Sequence, residues 1–190
     1  NVTGVQTCAL PILSAPFLCN IPSLAMPRPA RLALYGHGLL GSHEEIDYGS
    51  DVREFALAHD VLFCATKWAG LSEDDIANSI ATLQEISNFR TGTDRMQQGI
   101  LNFIVLGRLM LHPRGFRADP AFGGIAFGDE LSYDGNSQGG IMGGALVAVS
   151  PDIRRGVLGV PGINYSLLLP RSVDFDLYET VMRPAYPSAS

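Results

Sequence analysis

Short apolar runs alternate along this chain with longer stretches of helical periodicity. Runs at residues 31–35, 61–66, 130–134 and 155–160 are bounded by glycine or polar residues, as is typical of buried strands. Helices are predicted between and after them, at residues 44–59, 72–86, 94–111, 138–149 and 174–182. This alternation predicts an α/β fold with a doubly wound, mostly parallel sheet and right-handed crossovers.

The chain divides into three segments. Residues 31–190 carry the alternating elements and are expected to form one domain. Residues 13–30 are rich in proline and are predicted to be irregular. Residues 3–12 read TGVQTCALPI, which matches one translation of a short-read sequencing adapter, so residues 1–12 are predicted to be a non-native scar. A signal-peptide remnant is the alternative, although no basic region precedes the apolar residues.

Composition narrows the possible partners. The 190 residues are 46% hydrophobic and 17% charged, which is typical of a globular domain. The net charge is -6 and the basic residues are scattered, which argues against a nucleic-acid partner. No apolar run is long enough to span a membrane. Apart from Cys8, the cysteines are Cys19 and Cys64, and two residues leave both the pairing and the redox compartment open.

The strongest chemical signal is the stretch Gly135-Asn136-Ser137-Gln138-Gly139, a G-x-S-x-G pattern between a predicted strand and a predicted helix. A nucleophilic serine needs a sharp strand-to-helix turn, which brings the flanking backbone close together. Gly135 and Gly139 lack the side chains that would collide there. The helix N-terminus also favours negative charge that develops near Ser137. The pattern predicts Ser137 as a nucleophile, and a chance glycine-rich turn is the alternative.

A second glycine-rich loop, YGHGLLGS, occupies residues 35–42. Gly36, Gly38 and Gly41 match the G-x-G-x-x-G turn of dinucleotide-binding domains. That interpretation requires an acidic residue about 20 residues later, at the end of the next strand. The next predicted strand is followed by Lys67 and has no acidic residue at its end. Dinucleotide binding is therefore the weaker interpretation, and no cofactor is expected.

Three stretches carry a resemblance to a known family: GHGLLG at 36–41, YDGNSQGG at 133–140 and GVLGVPG at 156–162. From about residue 31 to residue 165 the chain resembles the secreted bacterial esterases and lipases of the α/β-hydrolase superfamily. The resemblance implies hydrolysis of a small-molecule or lipid ester through an acyl-serine intermediate, in a secreted protein. The alternative is a non-catalytic binding domain of the same fold.

The resemblance also assigns roles to individual residues. The backbone N–H groups of Leu39 and Gln138 are expected to form the oxyanion hole. Such a donor typically lowers the barrier by about 3 kcal/mol. His37 and Gly38 are expected to support the oxyanion loop, His37 by hydrogen bonding.

One departure from the family pattern concerns the catalytic base. In this fold the order along the chain is serine, acid, histidine, and no histidine follows Ser137. Asp174 and Asp176 are candidates for the acid, although a solvated role suits them better. We therefore expect the chain to be a fragment, truncated at both ends, that is nearly inactive alone.

The remaining candidates have simpler interpretations. Trp68 either lines an acyl pocket or packs at the edge of the core. The acidic pairs Asp74-Asp75 and Glu44-Glu45 are predicted to be solvated charges at helix starts. The histidines and cysteines are not spaced as metal ligands, so no metal is expected.

Overall fold

The computed structural model of this protein describes residues 13–22, 28–48 and 50–187. The predicted scar at residues 1–12 lies outside the described residues. In the described part of the chain, no helix combines the length and apolarity needed to cross a membrane.

Within these residues, one sheet contains five strands in the order β1-β3-β2-β4-β5. Strands β2 to β5 run parallel, and β1 pairs antiparallel with β3 at one edge. The predicted α/β class with a mostly parallel sheet is confirmed. The strand bounds are Phe17–Asn20 for β1, Ala30–Gly36 for β2, Val61–Thr66 for β3, Phe127–Asn136 for β4 and Ile153–Gly159 for β5.

Strand β1 corrects the prediction that residues 13–30 are irregular. It pairs with β3 so that Cys19 lies opposite Cys64, and the two cysteines form a disulfide. Thr66 Oγ1, at the end of β3, also donates a hydrogen bond to the carbonyl oxygen of Pro16 (2.7 Å). The strand has only four residues, with prolines nearby on both sides, and it forms through these long-range partners.

Helices follow the predicted order with shifted ends. The predicted helix at 44–59 consists of two helices, and the helix predicted to begin at residue 94 begins at Phe89. The latter ends at His112-Pro113, as expected, because proline cannot continue the hydrogen-bond ladder. The helix bounds are Glu45–Tyr48 for α1, Ser50–His59 for α2, Ile76–Gln84 for α3, Phe89–Leu111 for α4, Gln138–Val149 for α5, Tyr165–Leu168 for α6 and Asp176–Met182 for α7.

Helices cover both faces of the sheet. Alternate strand residues such as Leu32 and Leu34 pack on one face with Phe103 of α4 and Leu146 of α5. The intervening residues pack on the other face with α1 and α2. Strand β5 is the opposite edge of the described sheet. The carboxyl ends of β2 and β4 therefore lie side by side between the two helical layers.

The Cys19–Cys64 disulfide should contribute to stability, because it closes a loop between residues 45 positions apart. In a Cys8→Ser background, we expect reduction to lower the free energy of unfolding by about 2–4 kcal/mol. Urea denaturation with and without dithiothreitol measures the difference. The Cys19→Ser/Cys64→Ser variant should match the reduced protein and be insensitive to dithiothreitol. Equal stability of the reduced and oxidised proteins would contradict this account.

Candidate active site

Ser137 lies between the last residue of β4 and the first residue of α5, where the G-x-S-x-G pattern predicts it. Its backbone is held at φ 56° and ψ -120°, a sparsely populated region that costs about 1–3 kcal/mol for a residue with a side chain. The Ser137 N–H donates to the Gly159 carbonyl oxygen at 3.0 Å, and its own carbonyl accepts from Ile141 at 3.0 Å. The turn is therefore fixed from both sides, and the serine is exposed.

The two glycines of the pattern are needed because backbone segments approach one another closely. A Cβ atom on Gly139 would overlap the carbonyl oxygen of Gly36 at the end of β2. A Cβ atom on Gly135 would lie only 2.7 Å from the Gly139 carbonyl oxygen. On the other side, a Cβ atom on Gly140 would overlap the carbonyl oxygen of Gly159. The start of α5 is thus wedged between the ends of β2 and β5.

Tyr133 organises this packing, although the sequence analysis did not identify it. Its side chain is buried, and its hydroxyl donates a hydrogen bond to the Gly139 carbonyl oxygen at 2.5 Å. A Cβ atom on Gly36, Gly135 or Gly143 would overlap the tyrosine side chain. Burial raises the pKa of the Tyr133 hydroxyl, so it stays protonated and remains a donor. The one feature of the sequence that could have indicated this role of Tyr133 is the number of glycines near it, at residues 135, 139, 140 and 143.

The loop after β2 contains a tight turn. The Gly41 N–H donates to the Gly38 carbonyl oxygen at 3.1 Å, and Leu40 has a positive φ of 52°. The Leu40 N–H donates to the Leu71 carbonyl oxygen at 3.0 Å. Among the described residues, the N–H groups of Leu39 and Gln138 have no recorded acceptor. Both predicted oxyanion donors are thus free of competing hydrogen bonds in this part of the chain.

This loop begins next to the serine turn. Gly36 pairs with Gly135 across β2 and β4. A Cβ atom on Gly139 would lie 3.2 Å from the His37 carbonyl oxygen, so the start of α5 contacts the first residues of the loop. Convergence of the Leu39 and Gln138 N–H groups near Ser137 Oγ stays a prediction.

His37 is fully buried, and both of its ring nitrogens have partners. Nε2 accepts from the Trp68 backbone N–H at 2.8 Å, so Nδ1 carries the proton and donates to the Gly38 carbonyl oxygen at 2.7 Å. Burial lowers the pKa of His37 to about 4, so the ring is neutral at pH 7. His37 therefore holds the loop against the Trp68 backbone, and it has no free nitrogen to act as a base.

Glu45 holds the same loop from the opposite side. Its carboxylate accepts from the Gly38 N–H at 3.1 and 3.2 Å, and it fills the space that a side chain on Gly41 would need. The side chain is partly buried, and burial raises its pKa. The prediction of a solvated charge is wrong for Glu45, because α1 turns this residue back onto the loop.

Asp75 is a second acidic residue that was predicted to be solvated and is fully buried instead. It accepts from the Gly70 N–H at 2.8 Å and the Ser72 N–H at 3.0 Å, and it pairs with Arg95. Burial alone would raise the pKa of Asp75, but hydrogen bonds from Ser72 and the Arg95 guanidinium hold it below its usual range. The carboxylate thereby fixes the segment that binds the Leu40 N–H.

Trp68 belongs to the core. It is fully buried, with its ring 3.9 Å from that of Phe103 and 6.5 Å from that of Tyr133 between centroids. The Trp68 backbone N–H donates to His37 and so supports the loop after β2. The buried Trp68 ring belongs to the core and does not line a pocket beside Ser137.

The described residues do not assemble a complete triad. Within them, Ser137 Oγ has no recorded hydrogen-bond partner. His43 lies 3.2 Å from Ser42 Oγ, His59 packs on Phe55, and His112 accepts from the backbone N–H of a neighbouring residue.

The aspartates that follow Ser137 in the described part of the chain do not serve as the acid of a triad either. Asp174 lies in a short 3-10 turn and Asp176 begins α7, and neither has a recorded histidine partner in the described part of the chain. Asp152 pairs with Arg108 at 2.6 Å. Across the same residues, no three histidine, cysteine or acidic side chains are grouped to hold a metal ion.

Comparisons with known proteins give no match, whether to a family model, to a curated protein or to a solved structure.

The close packing of α5 between the ends of β2 and β5 predicts that alanine will have different effects at two of its glycines. Gly139→Ala should destabilise the protein by about 1–3 kcal/mol, because the new methyl group overlaps backbone that cannot move aside. Gly144→Ala is the matched control: its Cβ would meet only Leu158 at 3.8 Å, and alanine favours the helix by up to about 1 kcal/mol. Urea denaturation of both variants measures the difference. Equal changes in the free energy of unfolding for the two substitutions would contradict the tight packing of α5 between β2 and β5.

The buried His37 predicts a pH dependence of stability. Its pKa is about 4 in the folded protein and 6.5 ordinarily, so the unfolded chain binds more protons between these values. Neutral His37 contributes up to about 3 kcal/mol to the free energy of unfolding. This contribution is present in full above pH 6.5 and is lost as the pH falls toward 4.

Urea denaturation at several pH values tests this effect against His37→Gln, whose amide oxygen can still accept from the Trp68 N–H. The variant should be less stable at pH 7 but lose less stability between pH 6.5 and 4. Parallel pH profiles for the two proteins would show that His37 does not titrate in this range.

Proposed function

We propose that this protein is a serine hydrolase with an α/β-hydrolase fold that cleaves carboxylic esters through an acyl-serine intermediate. The observation that carries the proposal is the strained, exposed Ser137 at the N-terminus of α5, flanked by glycines that permit close backbone approach. Backbone strain of this kind persists only where surrounding contacts enforce it. Here the hydrogen bond to Gly159 and the Tyr133 hydroxyl supply those contacts.

In the proposed reaction, Ser137 Oγ attacks the ester carbonyl carbon and loses its proton to a base. The carbonyl oxygen becomes an oxyanion, which the N–H groups of Leu39 and Gln138 stabilise together with the positive end of α5. The intermediate collapses by breaking the bond to the alcohol, which leaves with a proton. Water then hydrolyses the acyl-serine by the reverse sequence of proton transfers. A histidine outside those of this chain is the expected base.

Two alternatives can be compared with this proposal. Dinucleotide binding is disfavoured, because the Glu45 carboxylate already occupies the Gly38 N–H and would repel a pyrophosphate. A non-catalytic binding domain is favoured by one observation: no hydrogen-bond partner is recorded for Ser137 Oγ among the described residues. The two remaining possibilities are separated by assay.

The first assay asks whether Ser137 turns over ester. This chain should hydrolyse p-nitrophenyl acetate only weakly, because without a base the residual catalysis is roughly 10³–10⁴ over water. The product of the longest reading frame of its gene should hydrolyse the ester rapidly, and Ser137→Ala should abolish this activity.

Two outcomes would overturn parts of the proposal. Rapid turnover by this chain, lost in Ser137→Ala, would mean that one of its own histidines is the base. Inactivity of the longer product would favour the binding domain.

The second assay tests the oxyanion donor without changing the shape of its loop. Leu39→Pro removes the Leu39 N–H at the first central position of the turn, where proline is well accepted. In the longer, active product, kcat should fall about 10²–10³-fold. Leu39→Ala keeps the N–H and should retain most of the activity. Equal kcat values for the two variants would remove Leu39 from the oxyanion hole.

A further inference from the structure

An apolar cavity of about 290 Å³ is lined by residues of α3, α4, α6 and α7 and by the loop after β2. Side chains such as Leu83, Met96, Phe175 and Met182 form its walls. Among the described residues that line it, none is charged. Its volume is near the lower end of the range for small-molecule sites, so it suits a slender apolar group.

The lining of the cavity includes residues that belong to the proposed active site or contact it. Leu39 and Leu40 of the oxyanion loop form part of its wall. Tyr165 lines it as well, and the Tyr165 hydroxyl donates a hydrogen bond to the Gln138 side-chain oxygen. Gln138 directly follows Ser137, so Leu39 and Tyr165 of the cavity wall connect the cavity to the two proposed oxyanion donors.

We propose that this cavity binds the unbranched aliphatic acyl chain of a medium-chain ester, an inference that rests on the proposed esterase function. The acyl chain is the part of the substrate that stays attached to Ser137 after the alcohol has left. An uncharged cavity of apolar side chains stabilises such a chain by burying its methylene groups. Ile86 and Phe89 at the cavity are 48% and 57% exposed, so a bound chain would also cover apolar surface that is now in contact with water.

Gly92 provides a sharp test, because it lines the cavity within α4 and a Cβ atom there would meet nothing within 4 Å among the described residues. Gly92→Phe should fill the cavity without displacing backbone, and Gly92→Ala should leave it open. Thr82→Phe, on the α3 wall, is a second blocking variant should Gly92→Phe fail to fold. None of these residues belongs to the proposed catalytic machinery.

The experiment is calorimetric titration of this chain with butanoate, hexanoate, octanoate and decanoate, which mimic the acyl product. Affinity should rise about fourfold with each added methylene that enters the cavity. Gly92→Ala should keep this dependence on chain length, and the blocking variants should abolish it.

Affinities that do not change with chain length, or that a folded blocking variant leaves unchanged, would overturn the inference. Self-association of the chain that the blocking variants abolish, with no fatty-acid binding, would also overturn it and identify a second copy as the occupant. Ser137-dependent ester turnover without length-dependent binding would leave the proposed function standing and refute the cavity. Length-dependent binding without such turnover would refute the function and keep an aliphatic binding site.

Discussion

The site depends on the close approach of α5 to the ends of β2 and β5. Gly139 lies against the backbone of Gly36, and Gly140 lies against that of Gly159, with no room for a side chain at either position. The Tyr133 hydroxyl joins the strand to the first turn of the helix. Ser137 has a positive φ at this point and an exposed side chain, and such a strained backbone persists only where surrounding contacts enforce it.

Buried and partly buried polar residues then shape the loop that follows β2. His37, Glu45 and Asp75 each bind backbone N–H or carbonyl groups of the loop or of the segment that supports it. Each is costly to bury and is stable only because its partners are in place. His37 is buried in its neutral form. The Glu45 carboxylate accepts the Gly38 N–H, and the Asp75 carboxylate accepts several donors. The Leu39 N–H, which has no recorded acceptor among the described residues, is therefore presented by a loop in which the backbone groups of Gly38 and Gly41 are hydrogen-bonded.

The proposed function joins these two features to the adjacent cavity. In this proposal, Ser137 would be the nucleophile, the N–H groups of Leu39 and Gln138 would be the oxyanion donors, and α3, α4, α6 and α7 would contribute an apolar wall. The Cys19–Cys64 disulfide ties the first strand to β3 on the far side of the sheet, and it is the kind of bond that forms in an oxidising compartment. An extracytoplasmic esterase is a coherent proposal from these parts.

The sequence by itself determined the local features: the bounds of β3 and α5, the class of the fold, and the position of Ser137 between a strand and a helix. Apolar runs and glycine spacing are sufficient to predict these features, because the strand, the Ser137 turn and the helix are formed by residues that are adjacent in the chain. Only the tertiary structure decided the strand at Phe17–Asn20, the contact of Glu45 with the loop after β2, the burial of Asp75, and the role of Tyr133. From the sequence alone, short polar segments are predicted to be solvated and proline-flanked segments to be irregular. Their partners lie on other elements, and the order of the sheet brings them together.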